Sequence, residues 1–215
     1  MQKLWFTSDL HCGHSNIIKY CDRPFMQQWE RDAINNMGHD HYKKRSFRLI
    51  KEDVDEMDAT MIDNINEVVK PNDILYVLGD FCWGDETQVR HYRDLIQCQH
   101  VHLILGNHDM LTIYQYKSMF ETIDKIKEIK WEEQKMVLSH YPIIDFNGCR
   151  KGAILYHAHK HGRLQGQLAA GPLTDTELAE KKALAAYKVL DVGVDTHNFY
   201  PWSFEETLEY FKYKH

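Results

Sequence analysis

The chain has no Cys-x-x-C pair, and its five cysteines (Cys12, Cys21, Cys82, Cys98 and Cys149) are an odd number without regular spacing. That argues against a disulfide framework and predicts free thiols in a reducing compartment, the cytoplasm. No apolar stretch approaches the length of a membrane span. The run Leu4-Trp5-Phe6 is too short for a secretory leader and leads straight into Asp9. An excess of positive charge is missing too: 26 Lys and Arg stand against 32 Asp and Glu, a net charge of −6. A mildly acidic chain is not built to grip a nucleic-acid backbone over a long footprint, so a phosphate-bearing substrate must meet a local positive charge, which bound metal would provide. Neither an internal repeat nor a domain boundary is visible, and 215 residues suit one domain over 1–215.

Histidine is what the chain has in plenty: 14 residues, several beside Asp, Asn or Gly. Short apolar runs, rich in branched and aromatic residues, repeatedly end in metal-competent side chains. The runs 4–7, 74–78, 101–105, 136–138 and 153–156 lead into Asp9-Leu10-His11, Gly79-Asp80, Gly106-Asn107-His108-Asp109, Ser139-His140 and His157-Ala158-His159-Lys160-His161. Runs of this length and composition predict buried strands. Helical spacing predicts helices over 54–69, 86–97, 174–187 and 204–213, with Thr174 and Glu177 as a capping box. Residues 122–139 read as two strands joined near Glu132-Glu133. Strands alternating with helices define an α/β fold. Residues 22–53, with the basic cluster Lys43-Lys44-Arg45 and Arg48, and residues 141–173 read as less regular segments and candidate substrate-side loops.

Asp9 and His11 are two residues apart, as are His159 and His161, so strand alternation would send each pair to one side; His157 shares the second phase. Each motif alone has an ordinary structural explanation. Five strand ends carrying such residues together do not, because open α/β sheets build their sites beyond the carboxyl ends of strands. Carboxylate, imidazole and one amide oxygen suit Mn, Fe or Zn better than Ca. Cys12 and Cys82 lie near these residues but are not needed to close the ligand set, and read as packing residues.

At these blocks, in this order from residue 9 to 161, the sequence resembles the calcineurin-like metallophosphoesterase superfamily. The ending Val192-Gly193-Val194-Asp195 followed by Pro201, and Gly13-His14-x-Asn16-Ile17, are similar to its small bacterial and phage members. The resemblance implies a four-layer α/β/β/α sandwich with a dinuclear metal site at the carboxyl ends of the central strands. It implies two divalent ions per chain, Mn foremost, with Fe, Zn, Ni or Co as alternatives. Asp9, His11, Asp80 and His161 would hold the first ion; Asp80 would bridge, and Asn107, His140 and His159 would complete the second. A metal-bridging hydroxide would attack a phosphodiester or phosphomonoester, with a small nucleotide or cyclic phosphodiester as the preferred substrate, in the host cytoplasm if phage-encoded. Asn107 would steady the phosphoryl oxygens. His108 would act as general acid or as an electrostatic partner, oriented by Asp109. Arg23, His14, Arg150 and Lys151 are candidates for holding phosphate oxygens. One position departs from the family pattern: Ala158 stands where glycine is usual, which puts substrate clearance there in question. The competing readings are a non-catalytic interaction scaffold of the same fold and a metallohydrolase acting on a non-phosphate bond.

Overall fold

The computed structural model of the protein describes residues 1–38, 41–110, 112–166 and 172–214. The stretches 39–40 and 167–171, parts of the two expected substrate-side loops, lie outside the described residues.

Nine strands form two sheets among the described residues. The first has the order β4 (Ile123–Asp124), β3 (His100–Ile104), β2 (Ile74–Val77), β1 (Leu4–Thr7) and β9 (Trp202–Ser203), with β1 to β4 parallel and β9 antiparallel to β1. The second has the order β5 (Ile126–Trp131), β6 (Gln134–Ser139), β7 (Ile154–His157) and β8 (Lys188–Asp191). Strands β5 and β6 form an antiparallel hairpin, and β6, β7 and β8 are parallel. The hairpin turns on Glu132 and Glu133, both in the left-handed region (φ 44° and 67°), as a two-residue turn requires.

Two-residue alternation sorts the core into layers. Trp5, Leu75, Val77, Val101 and Leu103 face a first core with the helices α1 (Ser15–Tyr20), α2 (Gln28–Asn36), α4 (Lys51–Val68), α5 (Glu86–Leu95) and α6 (Ile113–Lys117). Their neighbours Leu4, Phe6, Tyr76 and Ile104 face the other way, against Met136, Leu138, Ile154, Tyr156 and Leu190 of the second sheet. Phe204 and Phe211 of α8 (Phe204–Lys214) close that middle core. Val137, Leu155 and Val189 pack outward with Leu184 of α7 (Asp175–Leu184). The result is the expected four-layer α/β/β/α sandwich.

The helix expected over 54–69 starts earlier, at Lys51, with Glu52 and Asp53 in its first turn. Thr174 and Glu177 form the expected capping box ahead of α7. Residues 22–53 are more regular than their sequence suggests: they hold α2 and the one-and-a-half-turn α3 (His41–Ser46). Helix α2 buries only Ile34 and Glu30 and is started by a Gln27–Glu30 capping box, so it offers few apolar residues to read.

Candidate metal centre

The residues singled out in sequence gather at the carboxyl ends of β1, β2, β3, β6 and β7, but not by strand alternation. The strands end before the ligands begin. Asp9, His11, Asp80, His159 and His161 all lie in the left-handed region, with φ of 55°, 53°, 53°, 68° and 47°. Each such residue costs about 1 kcal/mol or more and persists only where its surroundings fix it. Hydrogen bonds do the fixing: Asp9 N–H donates to the Gly79 carbonyl (3.0 Å), His11 N–H to Asp80 (2.9 Å), and His159 N–H to Asp9 Oδ2 (3.1 Å).

The donor set fits a cation. His140 Nδ1–H donates to the Leu78 carbonyl (2.7 Å), which leaves Nε2 as a lone pair 3.0 Å from Asn107 Oδ1 and 3.5 Å from Asp80 Oδ2. The same Asp80 Oδ2 lies 3.4 Å from His11 Nε2. Asp9 Oδ1 and His11 Nε2 are buried without a hydrogen-bond partner among the described residues. Two groupings, Asp9–His11–His161 and Asp9–Asp80–His140, bring one donor atom from each residue close enough to share an ion. A third, Cys21–His161–Asp195, includes a thiol that the sequence reading passed over. Burial pushes Asp9 well above the usual carboxylate range, and Asp191 and Asp80 add to the effect. For His11 burial acts in the opposite sense and holds the imidazole far below its usual range, in the neutral form that ligates; His159 is likewise lowered to about 4. Convergent acceptors, buried acid and neutral imidazole are the makings of a divalent-metal site.

Supporting residues tie these loops together. Asp109 does not orient the His108 ring. Its Oδ2 accepts from the backbone N–H of Asp80 (2.9 Å) and Gly106 (2.8 Å), and its Oδ1 from Phe81 (3.1 Å), so it staples the Asp80 turn to the 106–109 turn. Asp80 Oδ1 in turn accepts from the His108 N–H (2.8 Å). A Cβ on Gly106 would stand 2.3 Å from Asp80 Oδ1 and 2.7 Å from its nitrogen. Gly106→Ala is therefore expected to destabilise the fold by about 1–3 kcal/mol and to weaken metal retention; thermal melts with metal analysis of the dialysed protein check both.

Arg23, expected at the substrate, is placed elsewhere. It is 1% exposed, and its Nε and Nη2 donate to Asp195 Oδ1 and Oδ2 (2.8 and 2.9 Å). Its remaining donors reach the carbonyls of Asp9 (2.7 Å) and Leu10 (3.1 Å). Asp195 Oδ2 also accepts from His161 Nδ1 (2.7 Å). A buried arginine aimed at backbone carbonyls leaves no mark in composition or spacing. Arg150 and Lys151 precede β7, whereas the ligands follow it, so both sit at the opposite end of that strand. His14 does lie beside the cluster, its ring 5.4 Å from His11 and 6.0 Å from His108, stacked at 4.3 Å on Trp83. Burial lowers its pKa to about 4. Ala158 is fully buried in the core between the sheets, so its methyl group does not narrow a substrate path. His157 is also buried, its Nδ1–H donating to the Ala158 carbonyl (3.0 Å), outside the ligand groupings. Cys12 and Cys82 pack in the first core, and all five cysteines are free thiols.

Two packed sheets with buried acids and imidazoles at their strand ends define an α/β sandwich whose strand ends gather residues able to hold a metal ion. The sequence profile of the calcineurin-like phosphoesterases matches residues 2–212, and the chain belongs to that family. An uncharacterised protein of Methanocaldococcus jannaschii is 27% identical over 207 residues, covering 95% of this chain and 89% of the relative. The Gene 66 protein of Mycobacterium phage L5 is 25% identical over 75% of this chain and 78% of its own length. The crystal structure of a protein of unknown function from Aquifex aeolicus shares the fold, with a TM-score of 0.64 at 21% identity over 98% of this chain and 100% of that one. No helix among the described residues is long and apolar enough to cross a membrane.

Proposed function

We propose that residues 1–215 act as one catalytic domain that hydrolyses a small phosphodiester or phosphomonoester in the cytoplasm, a small nucleotide or cyclic phosphodiester being the preferred substrate. Two divalent ions, Mn foremost, would be held by Asp9, His11, Asp80 and His161 and by Asp80, Asn107, His140 and His159. The observation that carries this reading is the place of Asp80 Oδ2, between His11 Nε2 at 3.4 Å and His140 Nε2 at 3.5 Å, where one oxygen can serve both ions. Bound divalent ions supply Lewis-acid charge to a phosphoryl group and make water a nucleophile at neutral pH.

The chain's own residues do the rest. His11, His140 and His159 present lone pairs, and Asp9 and Asp80 present carboxyl oxygens. Asn107, exposed beside His140 Nε2, offers its amide to a phosphoryl oxygen as charge develops there. His108 stands half-buried with its ring 5.3 Å from that of His11, on the rim of the cluster. From there it gives a proton to the ester oxygen as the P–O bond breaks.

His108→Ala should keep its metal and lose turnover by roughly 10²–10⁴-fold on an ester with a poor leaving group, and far less on a nitrophenyl ester, whose leaving oxygen needs no proton. Steady-state kinetics on the two esters, with metal content measured on the same samples, test this. Full activity on the poor leaving group would remove His108 from the acid role.

A further inference from the structure

The four residues expected to grip phosphate oxygens do not form a cationic rim. Arg23 is buried and committed to Asp195, Arg150 and Lys151 sit at the far end of β7, and His14 lies under an indole ring. What flanks the ligand cluster instead is exposed aromatic surface. Trp83 is 49% exposed and Tyr141 is 47% exposed. They stand on different sides: the Trp83 ring is 5.1 Å from His108, whereas the Tyr141 ring is 4.8 Å from His159 and 5.0 Å from His140.

Trp83 is built as a platform. The Trp83 backbone N–H donates to the Cys12 carbonyl (2.8 Å), and the Cys12 N–H donates to the Phe81 carbonyl (3.2 Å), which binds the residue to the loop carrying Asp9 and His11. One face of the ring is backed by the His14 imidazole, at 4.3 Å and within 12° of parallel. A half-exposed indole held in this way keeps its orientation, so little freedom is lost when a second ring stacks on it. Its neighbour on the cluster side is the proposed proton donor to the leaving oxygen.

We propose that Trp83 is the stacking platform for a nucleobase on the leaving-group side of the scissile bond, so that this chain selects nucleoside phosphoesters over alkyl phosphoesters. The inference rests on the phosphoesterase reading and adds the residue that would select nucleoside esters. In a nucleoside ester the base stands one sugar away from the ester oxygen. With that oxygen at His108, the base reaches the adjacent indole. Stacking tolerates any base, because every base has a π face, so the preference is for the class and not for one nucleotide.

The test compares a dinucleoside monophosphate with glycerophosphocholine, and adenosine monophosphate with glycerol phosphate, using wild type, Trp83→Ala and Trp83→Phe loaded with Mn²⁺. Trp83→Ala is expected to raise KM for the nucleoside esters by about 5- to 100-fold, the alanine-substitution cost of one base stack. The change in kcat should be small, and the preference over the alkyl partner should fall by the same factor. Trp83→Phe should restore most of it. Titration of the metal-loaded proteins with adenosine monophosphate reads the platform without turnover: the wild-type indole-emission response should be missing in both Trp83 variants, and affinity measured by calorimetry should fall in the alanine variant alone. Equal KM changes on both substrate types, or unchanged nucleotide affinity in Trp83→Ala, would overturn the inference while leaving the phosphoesterase reading in place. If no ester is hydrolysed, that reading fails, and the titration still decides whether Trp83 binds a base.

Discussion

Asp80→Asn is expected to lose both metal and turnover, the latter by three orders of magnitude or more, roughly 4 kcal/mol of transition-state stabilisation. The substitution replaces a carboxylate oxygen placed between His11 and His140 with a neutral amide, so on the proposed assignment both ion positions lose the ligand they would share. It is a clean probe because the fold should survive it. Asparagine tolerates the left-handed backbone that position 80 adopts, and its oxygen can still accept the His108 N–H. One buried negative charge fewer beside Asp9 should leave the metal-free variant as stable as wild type, within about 1 kcal/mol. Metal analysis and thermal melts on the same samples separate lost ligation from lost folding. A variant with full metal content and wild-type turnover would remove Asp80 from the bridging position.

Asp195→Asn is the second large effect, and a more selective one. The buried Arg23–Asp195 pair spans three strand ends: Arg23 holds the Asp9 and Leu10 carbonyls, and Asp195 holds His161 Nδ1. All the first ion's candidate ligands except Asp80 therefore hang on this pair. None of the groups specific to the second position, Asn107, His140 and His159, hydrogen-bonds to it among the described residues. An asparagine cannot accept from Nε, Nη2 and Nδ1 at once, since one of its two polar atoms is a donor. Loss of such an outer partner costs about 10- to 100-fold in metal affinity. The expected outcome is a chain that keeps one ion tightly and binds the other weakly, seen as two separated steps in a calorimetric titration. Arg23→Met should do more harm, destabilising the protein by about 3–5 kcal/mol, because it strands a buried carboxylate. If Asp195→Asn lost both ions together, or neither, the pair would not be the support of one position.

The strands and the ligand-bearing blocks were legible because both leave local signals: short apolar runs, two-residue alternation and dense histidine. The four layers came from the resemblance, and the three separate cores bear them out. The route by which the ligands converge was not legible. Asp9, His11 and His161 stand in one grouping, and His159 stands beside His140 instead; left-handed backbone beyond the strand ends places all four, and no side-chain pattern announces a positive φ for Asp or His. Arg23 was misplaced because its partner Asp195 lies 172 positions away in the sequence. Asp109 looked like a partner for His108 because they are adjacent; three backbone N–H groups claim it instead. Ala158 was weighed as a rim residue, whereas the strand preceding it turns its methyl group into the middle core.

The most direct test of the central claim is to strip the purified protein with a chelator, add back Mn²⁺, and assay a chromogenic phosphodiester beside its monoester while counting bound ions. The account predicts two ions per chain and hydrolysis that returns with them and is absent without them. A stripped protein that takes up no metal and hydrolyses neither ester under any added divalent ion would contradict it, and would leave the buried acids and imidazoles at the strand ends as part of a non-catalytic scaffold.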